Sequence, residues 1–487
     1  MVTPSNNTIL FTVIVSCISM LTLGILHFHV DDPFVLITAV VGVLILLPLG
    51  FANIRLLFCA WVVALPFAQR SLSDLGFANL YVDRLLLVYL LLLCLVYLLT
   101  RKLTFARLSG VEFLMVAFTV VCLVSAIKSH SLDRVGFGGL LSAYILPFVA
   151  YYLTRSFLQN DEHVRTFSLV ITYLTLYLSY VGICEQLYPD LVVPSYITDP
   201  QYIISNLGRS VGPSLEPVGY GTGLVFCWLF SVYVFFTTNS FRNPHKLLAL
   251  VAIIMAPIAM FFTYTRAVWG ELILSLGFLF VWYPRGKRLF GGLLASGLIG
   301  FMLLQTVQLS KTEGSAEDVV ERNTIYVRIS LAEAALKLFW EKPVFGVGYL
   351  QASREVTPYF EAVGTSYVPD EGTLIHNTFV NVLVELGVVG FVPFMCILVY
   401  LIKDGVVVYR GSVVDGEIAI IFLAACAAFI FAAMANNMYY PFAHVLLFSM
   451  AGMVKARLRT QAANGARTEP LAQSAASPCS PGYTARL

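Results

Sequence analysis

The residues best suited to chemistry lie where a long polar stretch runs into a late apolar segment. His376 stands at that junction, and an imidazole, with an ordinary pKa of about 6.5, can accept a proton at neutral pH. Asn377, Asn381 and Glu385 follow at intervals of four, which places them on one face of a helix. The pattern predicts a general base beside a polar helix face. The alternative is that the histidine and the polar face have structural roles.

Two arginines lie in short polar segments between apolar runs. Arg209 belongs to the segment 208–213 (GRSVGP), and Arg266 belongs to the tight hairpin 263–269 (TYTRAVW). A guanidinium presents a rigid fork of donors that matches phosphate oxygens, so both arginines are candidate ligands of a phosphate group. The alternative is that each reaches a lipid head group from a helix end. Glu271 is a further intramembrane carboxylate, for which the alternative is again a structural role.

The composition indicates a membrane protein. Of the 487 residues, 59% are hydrophobic and only 12% are charged, whereas a soluble domain has about 25% charged residues. We therefore predict an all-α polytopic membrane protein, since helices satisfy their own backbone inside lipid. The net charge of +2 gives no indication of nucleic-acid binding. About fourteen spans (12–14) are predicted, at residues 8–28, 34–50, 54–68, 81–99, 111–127, 137–156, 166–184, 218–237, 247–262, 267–283, 289–308, 377–402, 417–435 and 440–456.

The placement of charge predicts the orientation of these spans. With the N-terminus in the cytoplasm, most clusters of Lys and Arg fall in cytoplasmic loops, as the positive-inside rule requires. The opposite side then receives Arg209, Arg266 and the long polar segment 309–376. We therefore predict one large periplasmic loop at 309–376 and two cytoplasmic termini. The third span, 54–68, is short enough to be re-entrant.

Three regions follow from this pattern. Residues 1–200 form N-terminal transmembrane helices, 201–457 form a second membrane region that includes the long loop, and 458–487 form a disordered cytoplasmic tail. Within the loop, apolar residues recur with helical spacing between Thr324 and Trp340. They predict an amphipathic helix that lies on the membrane face or packs on its neighbours.

Several segments together resemble the O-antigen ligase / O-antigen (Wzy-type) polymerase superfamily of bacterial membrane glycosyltransferases, over about residues 200–450. The main similarity is a His-Asn-x-Phe motif followed by Glu-x-Gly, matched by His376, Asn377, Phe379, Glu385 and Gly387. The segment 343–348 (PVFGVG) is similar to the loop that precedes this motif in the family. The hairpin 263–266 resembles a Thr-x-Ser-Arg motif with Thr265 in place of Ser. The segment 208–221 resembles an Arg-containing loop, but Glu216-Pro217 stands where Asn-Pro is usual.

The resemblance implies a fold and an activity. It implies the C-type membrane glycosyltransferase fold and a metal-independent enzyme without cofactor in the bacterial inner membrane. The donor would be a polyprenyl-diphosphate-linked glycan, used at the periplasmic face with inversion of the anomeric centre. The acceptor would be a lipid A core for a ligase, or another lipid-linked glycan for a polymerase of O-antigen or exopolysaccharide. The sequence leaves these two open.

The resemblance also implies roles for individual residues. Arg209 and Arg266 would neutralise the diphosphate leaving group. His376 would accept the proton of the acceptor hydroxyl or hold that hydroxyl in line. The expected substrate-binding residues are Asn377, Asn381, Glu385 and Arg328.

Two other classes of protein remain open. A transporter is one, although transporters commonly show repeated halves around a midplane site, and this sequence has no paired halves. The other is a non-catalytic partner of polysaccharide assembly proteins during export. The gathering of the polar residues at one predicted face favours the enzyme.

Overall fold

The computed structural model describes residues 50–67, 81–102, 105–199, 208–297, 316–359, 375–411 and 416–475, with the single residues 206 and 299. Within these ranges the secondary structure is helical, and no strand occurs. The predicted all-α class is therefore confirmed. The predicted spans 8–28 and 34–50 lie outside the described residues, apart from Gly50.

Fourteen of the helices are numbered here in chain order. Their bounds are α1 Ile54–Ala64, α2 Val82–Leu99, α3 Gly110–Lys128, α4 Arg134–Leu140, α5 Leu146–Phe157, α6 Asp161–Leu187, α7 Pro217–Thr237, α8 Pro244–Phe262, α9 Arg266–Trp282, α10 Ala316–Glu341, α11 Ala352–Glu355, α12 Thr378–Gly411, α13 Gly416–Ala435 and α14 Pro441–Ala475. One π turn, Leu141–Ile145, joins α4 to α5.

Seven helices in the described ranges are long and apolar enough to cross a membrane. They are α3, the combined helix Gly136–Phe157, α6, α7, α8, α12 and α13. An eighth is reached if α9 and the following helix Pro284–Gly297, which are bent by 109°, count as one broken span. The multi-pass architecture is thus confirmed, while the total of about fourteen stays a prediction. The segment Ile54–Phe67 is apolar but shorter than these helices, in agreement with the prediction that the third span, 54–68, is short.

Helix α7 occupies the centre of the bundle. In its most apolar window 89% of residues are buried, against 33% in α8, so α7 is the more enclosed of the two helices. α7 is apolar on all sides, as expected of a helix surrounded by other helices. Trp228, Phe226 and Phe230 lie on it and are fully buried. α7 packs against α6, α8 and α14.

The bundle has two polar ends. We call one the basic end: contacts such as those of Arg155 with Glu112 and of Arg457 with Asp161 join its loops. We call the other the site end: contacts of Arg209 with Thr263 and of Thr378 with Asn436 join its loops. The loops that charge placement assigned to one side of the membrane meet at one end. Which end faces the cytoplasm stays a prediction.

The long polar segment contains the predicted helix, and the structure shows what its apolar stripe contacts. Helix α10 buries Leu331, Ala335 and Leu338 in a cluster with Ile375 and Val384 near the start of α12. The helix therefore packs on its neighbours through its apolar stripe. That this segment faces the periplasm stays a prediction.

The C-terminal segment differs from the expected disordered tail. Helix α14 continues to Ala475, well into 458–487. Five alanines in 461–475 favour continuation of the preceding helix, whereas Gly465 and Pro470 in the same segment oppose it, so local propensity does not explain this helix. Residues 476–487 lie outside the described residues.

Candidate functional site

Arg209 and the hairpin before α9 form one unit. The Arg209 guanidinium donates from Nε to the Thr263 carbonyl at 3.0 Å and from Nη2 to the Thr265 hydroxyl at 2.6 Å. The backbone N–H of Ser210 donates to the Phe262 carbonyl at 2.9 Å. The structure thus brings together the two arginine-containing segments, which lie more than fifty residues apart. Both were predicted as phosphate ligands.

Local geometry places Arg266 at the mouth of this unit. The hairpin turns at Tyr264, whose φ of 47° is left-handed. Arg266 is then the first residue of α9, with Thr265 as the N-cap, and its side chain is exposed. A helix N-terminus carries unpaired N–H groups and a partial positive charge. Two guanidinium groups beside such a terminus make a suitable environment for a diphosphate.

Glu216 and Tyr440 support this unit from the other side. Glu216 caps α7 through the Gly219 N–H and forms a hydrogen bond with the Tyr440 hydroxyl. Gly219 permits the close approach, because a Cβ there would overlap the Tyr440 ring. Burial raises the pKa of Glu216, opposed by the N–H groups of Gly219 and Val218 and by Arg209. Burial also lowers the pKa of Arg209, and Glu216 opposes this.

Tyr440 is a residue that sequence reasoning missed. It immediately precedes Pro441, the first residue of α14. A tyrosine before a helix-starting proline is too common to indicate a site. Its contact with Glu216 forms only when α7 and α14 pack together.

His376 lies just before α12 and is exposed. Burial of part of the ring, and then the positive charge of Arg328, lower its pKa below the ordinary value. The neutral imidazole that can accept a proton is therefore favoured at neutral pH. Arg328, on α10, also donates to the Ala435 carbonyl at 3.4 Å.

The polar stripe on α12 divides into an end residue and an interior pair. Asn377 caps the helix, since its side-chain carbonyl accepts the N–H of Val380 at 3.1 Å. Asn381 donates to the Tyr439 hydroxyl at 3.1 Å and hydrogen-bonds Glu385. Glu385 is only 4% exposed and also accepts the N–H of Leu350. These hydrogen bonds tie Asn381 and Glu385 to the neighbouring loops, while their predicted role in substrate binding stays a prediction.

A break in α12 explains two of the motifs at once. Gly387 has a non-helical conformation (φ 61°, ψ −167°), which frees backbone groups on both sides of it. The segment 343–348 pairs with these groups: Val347 N–H donates to the Val384 carbonyl at 3.0 Å, and Val388 N–H donates to the Pro343 carbonyl at 2.9 Å. A Cβ at Gly346 or at Gly387 would overlap the facing backbone. The PVFGVG segment and Glu-x-Gly are therefore one structural unit.

The turn between α13 and α14 connects the histidine to the arginines. The Thr378 hydroxyl donates to the Asn436 carbonyl and accepts the Met438 N–H, both at 2.9 Å. Tyr439 contacts Asn381, and the next residue, Tyr440, contacts Glu216. Tyr439 and Tyr440 are adjacent in the chain, so they link Asn381, on the helix that follows His376, to Glu216, which lies beside Arg209. All three proposed catalytic residues lie at the site end.

The remaining polar candidates lie in the interior or outside the described ranges. Glu271 is fully buried and accepts a hydrogen bond from the Thr222 hydroxyl at 2.9 Å, which favours its structural role. In the part of the chain that the structure describes, no three His, Cys, Asp or Glu side chains come together as a metal site. Asp370 and Glu371, two adjacent carboxylates of the long polar segment that alone make no recognisable metal site, lie outside that part.

The sequence was also compared with known proteins. Residues 248–395 match the family model described as O-Antigen ligase, and this confirms the resemblance to the O-antigen ligase/polymerase superfamily. The matched region contains the Arg266 hairpin, the segment 343–348 and His376. It supports a membrane ligase or polymerase role in polysaccharide assembly. No curated protein matched the sequence.

Proposed function

Because residues 248–395 match the O-antigen ligase family model, we propose that this chain is a glycosyltransferase that uses a polyprenyl-diphosphate-linked glycan as donor. The observation that carries the proposal is the joining of Arg209 to the hairpin of Arg266. Two guanidinium groups at a helix N-terminus suit a diphosphate better than any other common group of a glycan donor.

The residues at the site end support a single displacement. The acceptor hydroxyl attacks the anomeric carbon while the bond from that carbon to the diphosphate oxygen breaks. His376 takes the hydroxyl proton, and the lipid diphosphate leaves with the bonding electron pair. Arg209 and Arg266 stabilise the negative charge that grows on the leaving group. Attack opposite the leaving group inverts the anomeric centre.

This chemistry assigns the positive charge to arginine and requires no metal. Burial and then the charge of Arg328 lower the pKa of His376, and we assign Arg328 to the substrate-binding residues beside it. Asn377 shapes the start of α12 beside His376. We place the site end on the periplasmic side of the bacterial inner membrane, since this puts the basic end in the cytoplasm.

Purified full-length protein incubated with lipid-linked glycan tests the activity. We expect new glycosidic bonds, in the presence of a chelator as well as without it. Offering both a lipid A core and a second lipid-linked glycan as acceptors distinguishes a ligase from a polymerase. A chain that moves the lipid-linked glycan across a vesicle membrane without forming bonds would be a transporter instead.

The orientation has a test of its own. In a Cys-free variant, Arg354→Cys lies at the site end and Lys287→Cys lies at the basic end, and both positions are exposed. A membrane-impermeant thiol reagent, applied to cells with a permeabilised outer membrane, should label the first and spare the second. The reverse pattern would place the site in the cytoplasm and contradict a periplasmic enzyme.

A further inference from the structure

An apolar cavity of about 390 Å³ lies between α8, α9 and the helix Pro284–Gly297. This volume is within the range of small-molecule binding sites, about 300–1,000 Å³. Ser296 contributes the single hydroxyl among the side chains that line it. A cavity of this kind suits a hydrocarbon chain and offers almost nothing to a polar ligand.

The register of α9 places Arg266 at the end of this cavity. Trp269, Ile273 and Leu276 line it and follow one another at intervals of four and three, which is one face of the helix. Arg266 precedes Trp269 by three residues, so it lies on the same face one turn closer to the site end. The apolar wall therefore leads directly to a candidate phosphate ligand.

The opposite wall ends at the other arginine. Ile254, Ile258 and Phe261 line the cavity from α8, again with helical spacing. Phe261 is two residues before Thr263, whose carbonyl accepts the hydrogen bond from Arg209. At this end the Phe261 and Trp269 rings stack with centroids 5.4 Å apart. The stacked rings form a lip between the cavity and the hairpin.

We propose that this cavity binds the apolar chain of the lipid diphosphate whose head group is held by Arg209 and Arg266. The inference rests on the proposed function, since it concerns the same ligand. The arrangement matches such a molecule: an anionic head at the helix N-terminus and a hydrocarbon chain along the stripe below it. Ile258 is 45% exposed, so the cavity opens sideways and a chain can enter from the bilayer.

Two neighbouring residues on α9 provide a matched pair of variants. Ile273 lines the cavity, whereas Leu274 is 41% exposed on the outer surface and does not line it. We would measure the binding of two probes, inorganic diphosphate and a long-chain polyprenyl diphosphate, to the full-length protein in phosphatidylcholine nanodiscs. Ile273→Trp fills the cavity and should weaken the long-chain probe about tenfold while leaving diphosphate unchanged. Leu274→Trp should change neither.

The outcomes separate this inference from the proposed function. Equal effects of Ile273→Trp and Leu274→Trp on the long-chain probe would overturn the cavity assignment. Arg266→Lys should weaken both probes, and its failure to do so would overturn the diphosphate site instead.

A crosslinking experiment covers the case in which Ile273→Trp does not fold. A photo-reactive residue at Ile258 should crosslink to the long-chain probe in competition with phosphatidylcholine. The same residue at Leu247, which is exposed on α8 outside the cavity, should not. Crosslinking to phosphatidylcholine alone at Ile258 would identify the cavity as an ordinary lipid surface.

Discussion

The two ends of the helix bundle use their positive side chains differently. At the basic end, four ion pairs occur among the described residues: Arg155–Glu112, Arg285–Glu417, Lys455–Asp404 and Arg457–Asp161. At the site end, Arg209 donates to two neutral oxygens, the Thr263 carbonyl and the Thr265 hydroxyl. A carboxylate cancels the charge of its partner, whereas a neutral oxygen orients a guanidinium and leaves its charge for an anion.

Glu216 does not remove this difference. It lies near enough to Arg209 to affect the pKa of each group, but its own hydrogen bonds go to Gly219 and Tyr440. The comparison teaches that one end holds helices together and the other keeps positive charge available. Substitutions at the basic end should therefore change stability, and substitutions at the site end should change activity.

The largest expected effect is on catalysis at the site end. His376→Ala should lower turnover by about 10²–10⁴-fold, the usual contribution of a general base. The free energy of unfolding should hardly change, because the side chain is exposed. Transfer rates at matched protein levels measure this. The control is His130→Asn. His130 is another exposed histidine at the site end, and asparagine tolerates its left-handed backbone conformation. Near-normal transfer by His376→Ala would rule out the catalytic role.

The next effect is on stability at the basic end. Glu112→Ala leaves Arg155, which is 1% exposed, as an unpaired buried charge. Removing one partner of a buried ion pair costs about 3–5 kcal/mol. Thermal unfolding in detergent should therefore shift strongly, while the turnover of the surviving folded protein stays unchanged. Replacing both partners with apolar residues should recover much of the loss. An equal loss in the double variant would mean that packing, or the cap that Glu112 makes on the Ser109 N–H, rather than the ion pair, stabilises this end.

A smaller effect is expected at the arginines. Arg209→Lys keeps a positive charge but loses the fork that bonds Thr263 and Thr265 together. Turnover should fall by at least about tenfold, which is about 1.4 kcal/mol of barrier. Donor binding should weaken in this variant and survive in His376→Ala. Arg354→Lys, at an exposed arginine of the same end, is the control. Equal loss of donor binding in Arg209→Lys and Arg354→Lys would mean that the effect does not depend on the fork of Arg209.

The smallest effect concerns pH. Burial and the charge of Arg328 lower the pKa of His376, and in the proposed mechanism the neutral imidazole accepts the proton. The value of kcat/KM should therefore fall as pH decreases through this pKa and stay level above it. Arg328→Gln removes one cause of the lowered pKa, so the acidic limb should move to higher pH. Arg354→Gln should leave it in place. If the acidic limb of the pH profile does not move, Arg328 does not affect the pKa of His376.

Much of this molecule followed from local sequence pattern. Apolar runs indicated helices such as α6, α7 and α13, because a helix in lipid must satisfy its own backbone. The spacing of Asn381 and Glu385 correctly indicated one face of α12, with Asn377 as its cap. The motif around His376 indicated the family whose model matches residues 248–395. The alternation of charge between loops also agreed with the two ends of the bundle. All of these are properties of one segment at a time.

The tertiary structure decided which segments meet. Arg209 bonds the hairpin of Arg266, and Tyr440 reaches Glu216 across the packing of α7 and α14. Such contacts join residues more than fifty positions apart, and nothing in either segment specifies the other. The role of Gly387 also needed the fold, because its left-handed backbone matters only when 343–348 pairs with the break. The sequence by itself determined the helices and the types of reactive residue. Packing of the helices determined which of those reactive side chains are exposed and which are buried.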